Sequence, residues 1–515
     1  MKKHGRTSQQ LFMAVMLIIL CVCWLGILRI NFSKNPSYYC TDMYSDMMYA
    51  VEVWDQKTIF PEGWVFGNQL YVVATPVLAA LCYGFIQDPC IAMGMASTVM
   101  GLCVIVSFYW MVKPLFKRFC ERLLAVTSLV SVVLVMGDPV YDLNGWQLFF
   151  TMCSYYACYA ITAFWVFGCY LRSDRKWNSR FFLMFAIACA FSFGTGIQSL
   201  RQTAVMTVPL LAVEMMRILS SKIRKNEYCY KSTLIAGVLS LFNLIGVAFS
   251  KIQVVEKNEV FGMPSVNMSF SFLKEIVPNS KTPFYLFSSF WHIAMILFVI
   301  VCIYSVITIL CRKNWVQNSV VVSVLLCIIS AVVVWSVDLF TTMIIREIYY
   351  FMLFPMSAIG VAWLYSKLND RLYFLPVIAA VFLLAHCTQI LLPYMQKTEE
   401  NKDPFGDISS YLEEQGITTV YSHWNLGEKI AIASDFRIQV GFWNSRLDPY
   451  NSVKYICNPD IFDTDFRECA YVVRGEDVFE RSKEAAEKRG IEIQLLNYFP
   501  ALDVFVFDAD GKLMR

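Results

Sequence analysis

The stretch SYYCTDMYSDMMYAVEVWDQ, residues 37–56, follows an apolar segment at 11–30 that is long enough to cross a bilayer, and it carries four carboxylates among methionines, tyrosines and a tryptophan. At helical spacing it sorts into two stripes, Met43, Met47, Ala50 and Trp54 on one and Asp42, Asp46, Tyr49 and Val53 on the next. Such a helix suits the membrane interface, with its Met and Trp stripe in lipid and its acids toward protein or water. Two carboxylates four residues apart repel mildly. Converging in a desolvated pocket, they would hold one proton more tightly, which suits a general base. The competing reading is a solvated helix surface.

The rest of the chain supports a membrane setting. It is 57% hydrophobic and 16% charged with mean hydropathy +0.51, more apolar and less charged than a soluble domain. A net charge of +3 without a basic domain or motif excludes nucleic acid as a partner. Many of the 18 cysteines, such as Cys21, Cys103, Cys189 and Cys327, lie inside apolar runs, where a thiol acts as a small hydrophobe. None forms a CxxC pair, and with four histidines no structural zinc site is expected.

Apolar runs of spanning length fall at 11–30, 91–112, 123–137, 147–171, 181–197, 202–219, 233–250, 284–310, 318–337, 347–366 and 372–393. Residues 181–219 divide because GTGIQSLRQT sets two glycines and an arginine in their middle. Segment 70–86 has only 17 residues and an internal Pro76. Treated as non-crossing, with the N-terminus inside, it leaves 17 Lys and Arg in the inner loops that follow it and six in the outer loops that follow it. The expected protein is therefore polytopic and α-helical, with about 11 spans and a re-entrant or interfacial first outer loop at 31–90. From 397 to 515 the helix and strand signals alternate, in an α/β domain placed outside the cytoplasm, with Gly416 and Gly490 ending helices. The membrane domain is then 1–396.

Other candidates cluster on the outer side. Arg201 and Arg346 stand at span ends where positive charge is otherwise scarce. Alone, either would snorkel to lipid phosphates; together they could clamp a phosphate by bidentate bonds. GDPVYDLNGW, 137–146, adds Asp138 and Asp142, and reads equally as a polar turn. Tyr49 and Tyr349 sit beside these acids and arginines in sequence. The sequence holds no Walker A loop, HExxH or GxSxG. Acids deep within spans, the mark of an ion-coupled transporter, are scarce, and Glu214 comes nearest.

SDMMYA (45–50) followed by FPEGWVFGN (60–68), with SLRQT and Pro209, and with YSHWNLGEKIAIAS (421–434), resembles the C-type (GT-C) membrane glycosyltransferases related to protein O-mannosyltransferases and aminoarabinose transferases. The resemblance implies an enzyme, in the plasma membrane with its N-terminus cytoplasmic. It would transfer a sugar, with inversion, from a polyprenyl-phosphate donor to a glycan, lipid or protein hydroxyl on the outer face. Asp46 matches the first-loop base, and Asp42 adds to it from its spacing alone. Arg346 and then Arg201 would bind the donor phosphate; Tyr49, Asp138, Asp142 and Tyr349 would line the substrate site. The chain departs from the pattern in lacking adjacent first-loop acids and a second-loop histidine, so a divalent metal stays open. A non-catalytic member, a flippase and a polysaccharide ligase are the alternative readings. A flippase needs a continuous polar pathway and a ligase a large late loop.

Overall fold

The computed structural model describes residues 2–33, 41–67, 69–135, 144–151, 154–224, 228, 230–251, 304, 307–308, 311, 315–341, 347–368, 374–400, 405–442, 459–510 and 513. Helix α1 (Lys2–Asn31) leads into α2 (Thr41–Gln56), α3 (Thr75–Ile86), α4 (Pro89–Val112), α5 (Phe119–Val135) and α6 (Asn144–Phe149). Then come α7 (Ala157–Tyr170), α8 (Ser179–Gln198), a π-helical turn (Thr203–Thr207) running into α9 (Val208–Arg224), and α10 (Tyr230–Ser250). Helices α11 (Ser319–Phe340), α12 (Leu353–Lys367) and α13 (Phe374–Glu400) complete the bundle.

Among the described residues seven helices are long and apolar enough to cross a membrane: Thr7–Asn31, Pro89–Val112, Ser179–Gln198, Thr203–Ile223, Tyr230–Ser250, Ser319–Val337 and Phe374–Leu392. Each coincides with an expected span. The expected span at 284–310 falls almost wholly outside the described residues, and those at 123–137, 147–171 and 347–366 form the shorter helices α5, α7 and α12. Segment 70–86 forms a helix of only 12 residues, too short to cross.

The break inside 181–219 falls at Ser199, whose extended backbone (φ −165, ψ 147) ends α8. Beyond it Pro209 has no N–H to give to the previous turn. The helix widens accordingly, the Val208 N–H reaching back five residues to the Thr203 carbonyl. Helices α8 and α10 touch backbone to backbone: a Cβ on Gly196 would stand 2.3 Å from the Asn243 carbonyl oxygen, and one on Gly246 2.2 Å from that of Phe193. Asn243 satisfies the polar groups buried there, accepting from Thr203 (2.8 Å) and Thr207 (3.0 Å) and donating to the Ser192 carbonyl (3.1 Å).

The C-terminal domain contains α14 (Gly406–Glu414), β1 (Thr419–Ser422), α15 (Trp424–Ala433), β2 (Gln439–Phe442), β3 (Cys469–Arg474), α16 (Glu476–Lys488), β4 (Gln494–Phe499) and β5 (Val504–Asp508). Its sheet runs β2-β1-β3-β5-β4, parallel across the first three strands and antiparallel for the last two. Gly416 (φ +69) and Gly490 (φ +67) supply the left-handed residue at the ends of α14 and α16, as expected. Strand alternation divides the apolar residues: Val420, Val472 and Val506 face one core, and Tyr421, Tyr471 and Phe507 face the other.

The first of those cores also contains Tyr44 and Val65 from the first loop. Tyr44 stacks on Phe436 (5.6 Å), meets Phe442 edge-on (5.5 Å), and its hydroxyl accepts from the Val440 N–H (3.0 Å). Helix α2 is thereby held between the bundle and the C-terminal domain. That placement corrects one expectation. The Met43, Met47 and Ala50 stripe faces protein, not lipid: all three are buried in the bundle core, and Trp54 lies on α3 where Gly84 leaves room for its ring. Helix α3 packs against α2 and covers the apolar face. Hydrophobicity alone does not distinguish burial in lipid from burial in protein.

Candidate active site

Helix α2 carries two acids with different surroundings. Asp46 is 3% exposed, whereas Asp42, in the first helical turn, is exposed. Of the two, only Asp46 is desolvated. Asp42 instead stands where a carboxylate favours the positive helix end. Tyr49, three residues beyond Asp46, is fully buried among Trp64 (5.5 Å), Phe66 (5.9 Å) and Tyr71 (4.8 Å) and donates to the Ile59 carbonyl (2.6 Å). Burial, and after it the Asp46 carboxylate, pushes its phenol well above the usual tyrosine range, so it stays neutral. With that hydroxyl engaged, Tyr49 braces the acid-bearing helix.

The loop after α2 joins it to the second candidate. The Leu70 N–H donates to the Gln198 carbonyl (3.0 Å), one of the carbonyls that α8 leaves without a helical partner. The Gln198 side chain accepts from the Val72 (3.3 Å) and Val73 (3.0 Å) N–H groups and donates to the Tyr159 hydroxyl (3.3 Å). That hydroxyl in turn donates to Gln69 (2.9 Å). Three residues after Gln198 comes Arg201. Its guanidinium lies 4.7 Å from the ring of Tyr349, 5.1 Å from Tyr156 and 5.5 Å from Tyr159. Aromatic faces attract a cation but do not neutralise it. Among the described residues no carboxylate pairs with Arg201.

The fold thus brings Arg201, Tyr349 and the Asp46-bearing loop to one end of the bundle, the end against which the C-terminal domain packs. Arg346, Asp138 and Asp142 lie outside the described residues. Sequence reading missed Gln198, Tyr156 and Tyr159. The tyrosines' spacing of three at the start of α7 was a usable signal; their approach to Arg201 was not. Among the described residues no three His, Cys, Asp or Glu side chains gather as a metal site. A cleft of about 270 Å³ lies between α2 and the C-terminal domain, lined by both.

At the opposite end Glu214 is buried in a full set of partners. It accepts from Tyr170 (2.5 Å), Ser232 (2.9 Å), Thr233 (2.9 Å) and Tyr228, and pairs with Arg217 at 3.6 Å. Arg217 also pairs with Asp174 at 3.5 Å.

No protein-family model matches this chain, and comparison with curated proteins finds no match. Among solved structures the chain is similar to ArnT from Cupriavidus metallidurans in the apo state, at 10% identity and TM-score 0.51, over 98% of each chain. The same protein bound to undecaprenyl phosphate matches at 10% identity and TM-score 0.51, over 97% of this chain and 98% of that one. The apo Archaeoglobus fulgidus oligosaccharyltransferase matches at 11% identity and TM-score 0.49, over 86% of this chain but only 64% of that one. This chain therefore spans a little under two thirds of that enzyme's length.

Proposed function

Starting from the GT-C fold of membrane glycosyltransferases, which this multi-pass membrane protein shares with ArnT, we propose that it transfers a sugar from a polyprenyl-phosphate donor to an acceptor hydroxyl at the bundle end carrying α2. The observation that carries the reading is Arg201, a cation held by three tyrosines without a carboxylate among the described residues, joined through Gln198 and Gln69 to the loop that follows Asp46. A site of this kind suits a phosphate whose charge grows as the sugar leaves. ArnT's complex with undecaprenyl phosphate supports the donor class.

In the proposed reaction the Asp46 carboxylate takes the proton of the acceptor hydroxyl. The freed oxygen attacks the anomeric carbon from the face opposite the phosphate, and the bond from that carbon to the phosphate oxygen breaks. Both electrons of the bond leave with polyprenyl phosphate, and the anomeric configuration inverts. Arg201 stabilises the departing charge, with Arg346 as second contact. The excess of basic residues at 113–122, 172–180 and 217–231 supports a reading with the opposite end in the cytoplasm and the C-terminal domain outside.

Asp46→Asn should lower turnover by about 10²- to 10⁴-fold, the range for a lost general base, while the purified protein keeps its melting temperature. Turnover within a few-fold of the unsubstituted protein removes Asp46 as the base. A protein that binds polyprenyl phosphate yet transfers no sugar with any donor would be a binding or flipping member of the fold. Labelling of a cysteine placed at residue 500 by an impermeant reagent on intact cells tests the orientation.

A further inference from the structure

Helix α8 stops at Ser199, so its last carbonyls have no helical partner. Gln198, buried at that end, turns this to use. Its backbone carbonyl takes the Leu70 N–H (3.0 Å), and its side-chain oxygen takes those of Val72 (3.3 Å) and Val73 (3.0 Å). The loop lies flat on the helix here: a Cβ on Gly194 would stand 2.6 Å from a Val73 methyl. On its other side the Gln198 amide donates to the Tyr159 hydroxyl (3.3 Å) and the Cys158 sulfur (3.3 Å) of α7. An ionised glutamate could only accept at this position and a lysine only donate; a carboxamide does both. From the loop, Tyr71 packs on Tyr49 (4.8 Å) and Phe66 (6.3 Å), and Tyr49 stands three residues beyond Asp46 on α2. From α7, the Tyr159 ring lies 5.5 Å from the Arg201 guanidinium.

We propose that Gln198 is a positioning residue through which an anion on Arg201 steadies the loop at 69–73 and, with it, the helix carrying Asp46. Donor binding then sets the acceptor's base in place, an inference that rests on the glycosyl-transfer reading. An anion fixes the guanidinium and so the tyrosine face beside it. A fixed Tyr159 holds its hydroxyl between Gln198 and Gln69, where it accepts from one and donates to the other (2.9 Å). Hydrogen bonds chained in this way strengthen one another in a dry interior. The backbone between Gln198 and Arg201 adds a second route, since the Arg201 N–H donates to the Ser199 hydroxyl (3.2 Å) across the helix break. Tyr71 and Tyr49 carry the order from the loop to α2 by ring contact.

The test is amide hydrogen exchange of residues 69–75, measured on the full chain in nanodiscs with and without undecaprenyl phosphate, whose binding is titrated separately. Exchange of the Leu70, Val72 and Val73 amides reports local opening of the loop. In the unsubstituted protein saturating lipid phosphate should slow it about fivefold or more, the lower end of coupling between two sites. Two variants then cut the connection. Gln198→Leu removes every side-chain bond of residue 198, and Tyr159→Phe removes one hydroxyl while keeping the ring beside Arg201. Both should still bind the lipid phosphate, and in both the slowing should vanish. A merely structural Gln198 would instead speed exchange equally with and without lipid. Should Gln198→Leu fail to fold, Tyr159→Phe carries the test alone. Slowing that persists in a folded variant overturns Gln198 as the connection. Binding without slowing in the unsubstituted protein overturns the coupling and leaves the donor site standing. Absence of binding there removes the donor site, and the coupling with it.

Discussion

Arg201 and Arg217 stand at opposite ends of one stretch of helix, sixteen residues apart in sequence. Both touch tyrosine rings, Arg217 that of Tyr170 at 5.3 Å and Arg201 those of Tyr156, Tyr159 and Tyr349. Arg217 also has Glu214 and Asp174 as counter-charges, and the acid it shares is closed off by four hydroxyl groups. A buried charge whose counter-charges are supplied by the protein holds helices together. A part-buried charge given only aromatic faces among the described residues keeps its affinity for an anion. The same residue type is structure at one end and a binding group at the other.

The sharpest way to break this contrast is to exchange the outcomes. Glu214→Ala leaves Arg217 with only the half-exposed Asp174, and removing one partner of a buried ion pair costs about 3–5 kcal/mol. Thermal unfolding in nanodiscs should register a loss of that order, with turnover per folded molecule unchanged. A catalytic defect without a stability defect would give the Glu214 end a chemical role after all. Arg201→Gln should do the reverse. Losing a charge-assisted bond worth about 1.5–3 kcal/mol lowers kcat/KM for a polyprenyl-phosphate donor by about 10- to 100-fold, with little change in melting temperature. A stability loss equal to that of Glu214→Ala would make Arg201 structural too. Tyr349→Leu removes the nearest ring, worth about 0.5–2 kcal/mol, so donor KM should rise about 2- to 30-fold. Smallest of all, Tyr44→Phe deletes one neutral hydrogen bond between α2 and Val440, about 0.5–1.5 kcal/mol. It should appear as faster amide exchange in α2 and β2, with the rest of the bundle unaffected.

How far the sequence could be read depended on whether a feature is local. The seven long spans and the order of elements in the C-terminal domain follow from hydropathy, period and helix stops such as Gly416 and Gly490, all properties of adjacent residues. The division near Ser199 was legible for the same reason. The direction of the Met43–Met47 stripe was not, because lipid and α3 offer a methionine the same apolar contact. The tyrosine cage was legible only in halves. Arg201 and Tyr349 are visible as polar and aromatic groups at span ends, but their meeting with Tyr156 depends on three distant segments converging. The cleft escaped notice altogether, since Glu52 and Asp460 are separated by 408 residues and neither stands in a motif.

Tyr44 has a consequence for the order in which the molecule is made. Its ring belongs to the core of a domain whose strand β2 ends at Phe442, so α2 lacks one of its two walls until nearly 400 further residues have been synthesised. At about 5–20 residues per second, that is a wait of tens of seconds. Through it, the helix bearing Asp46 can rest on the bundle but cannot close its outer side. The cleft beside it does not exist until the C-terminal domain has folded.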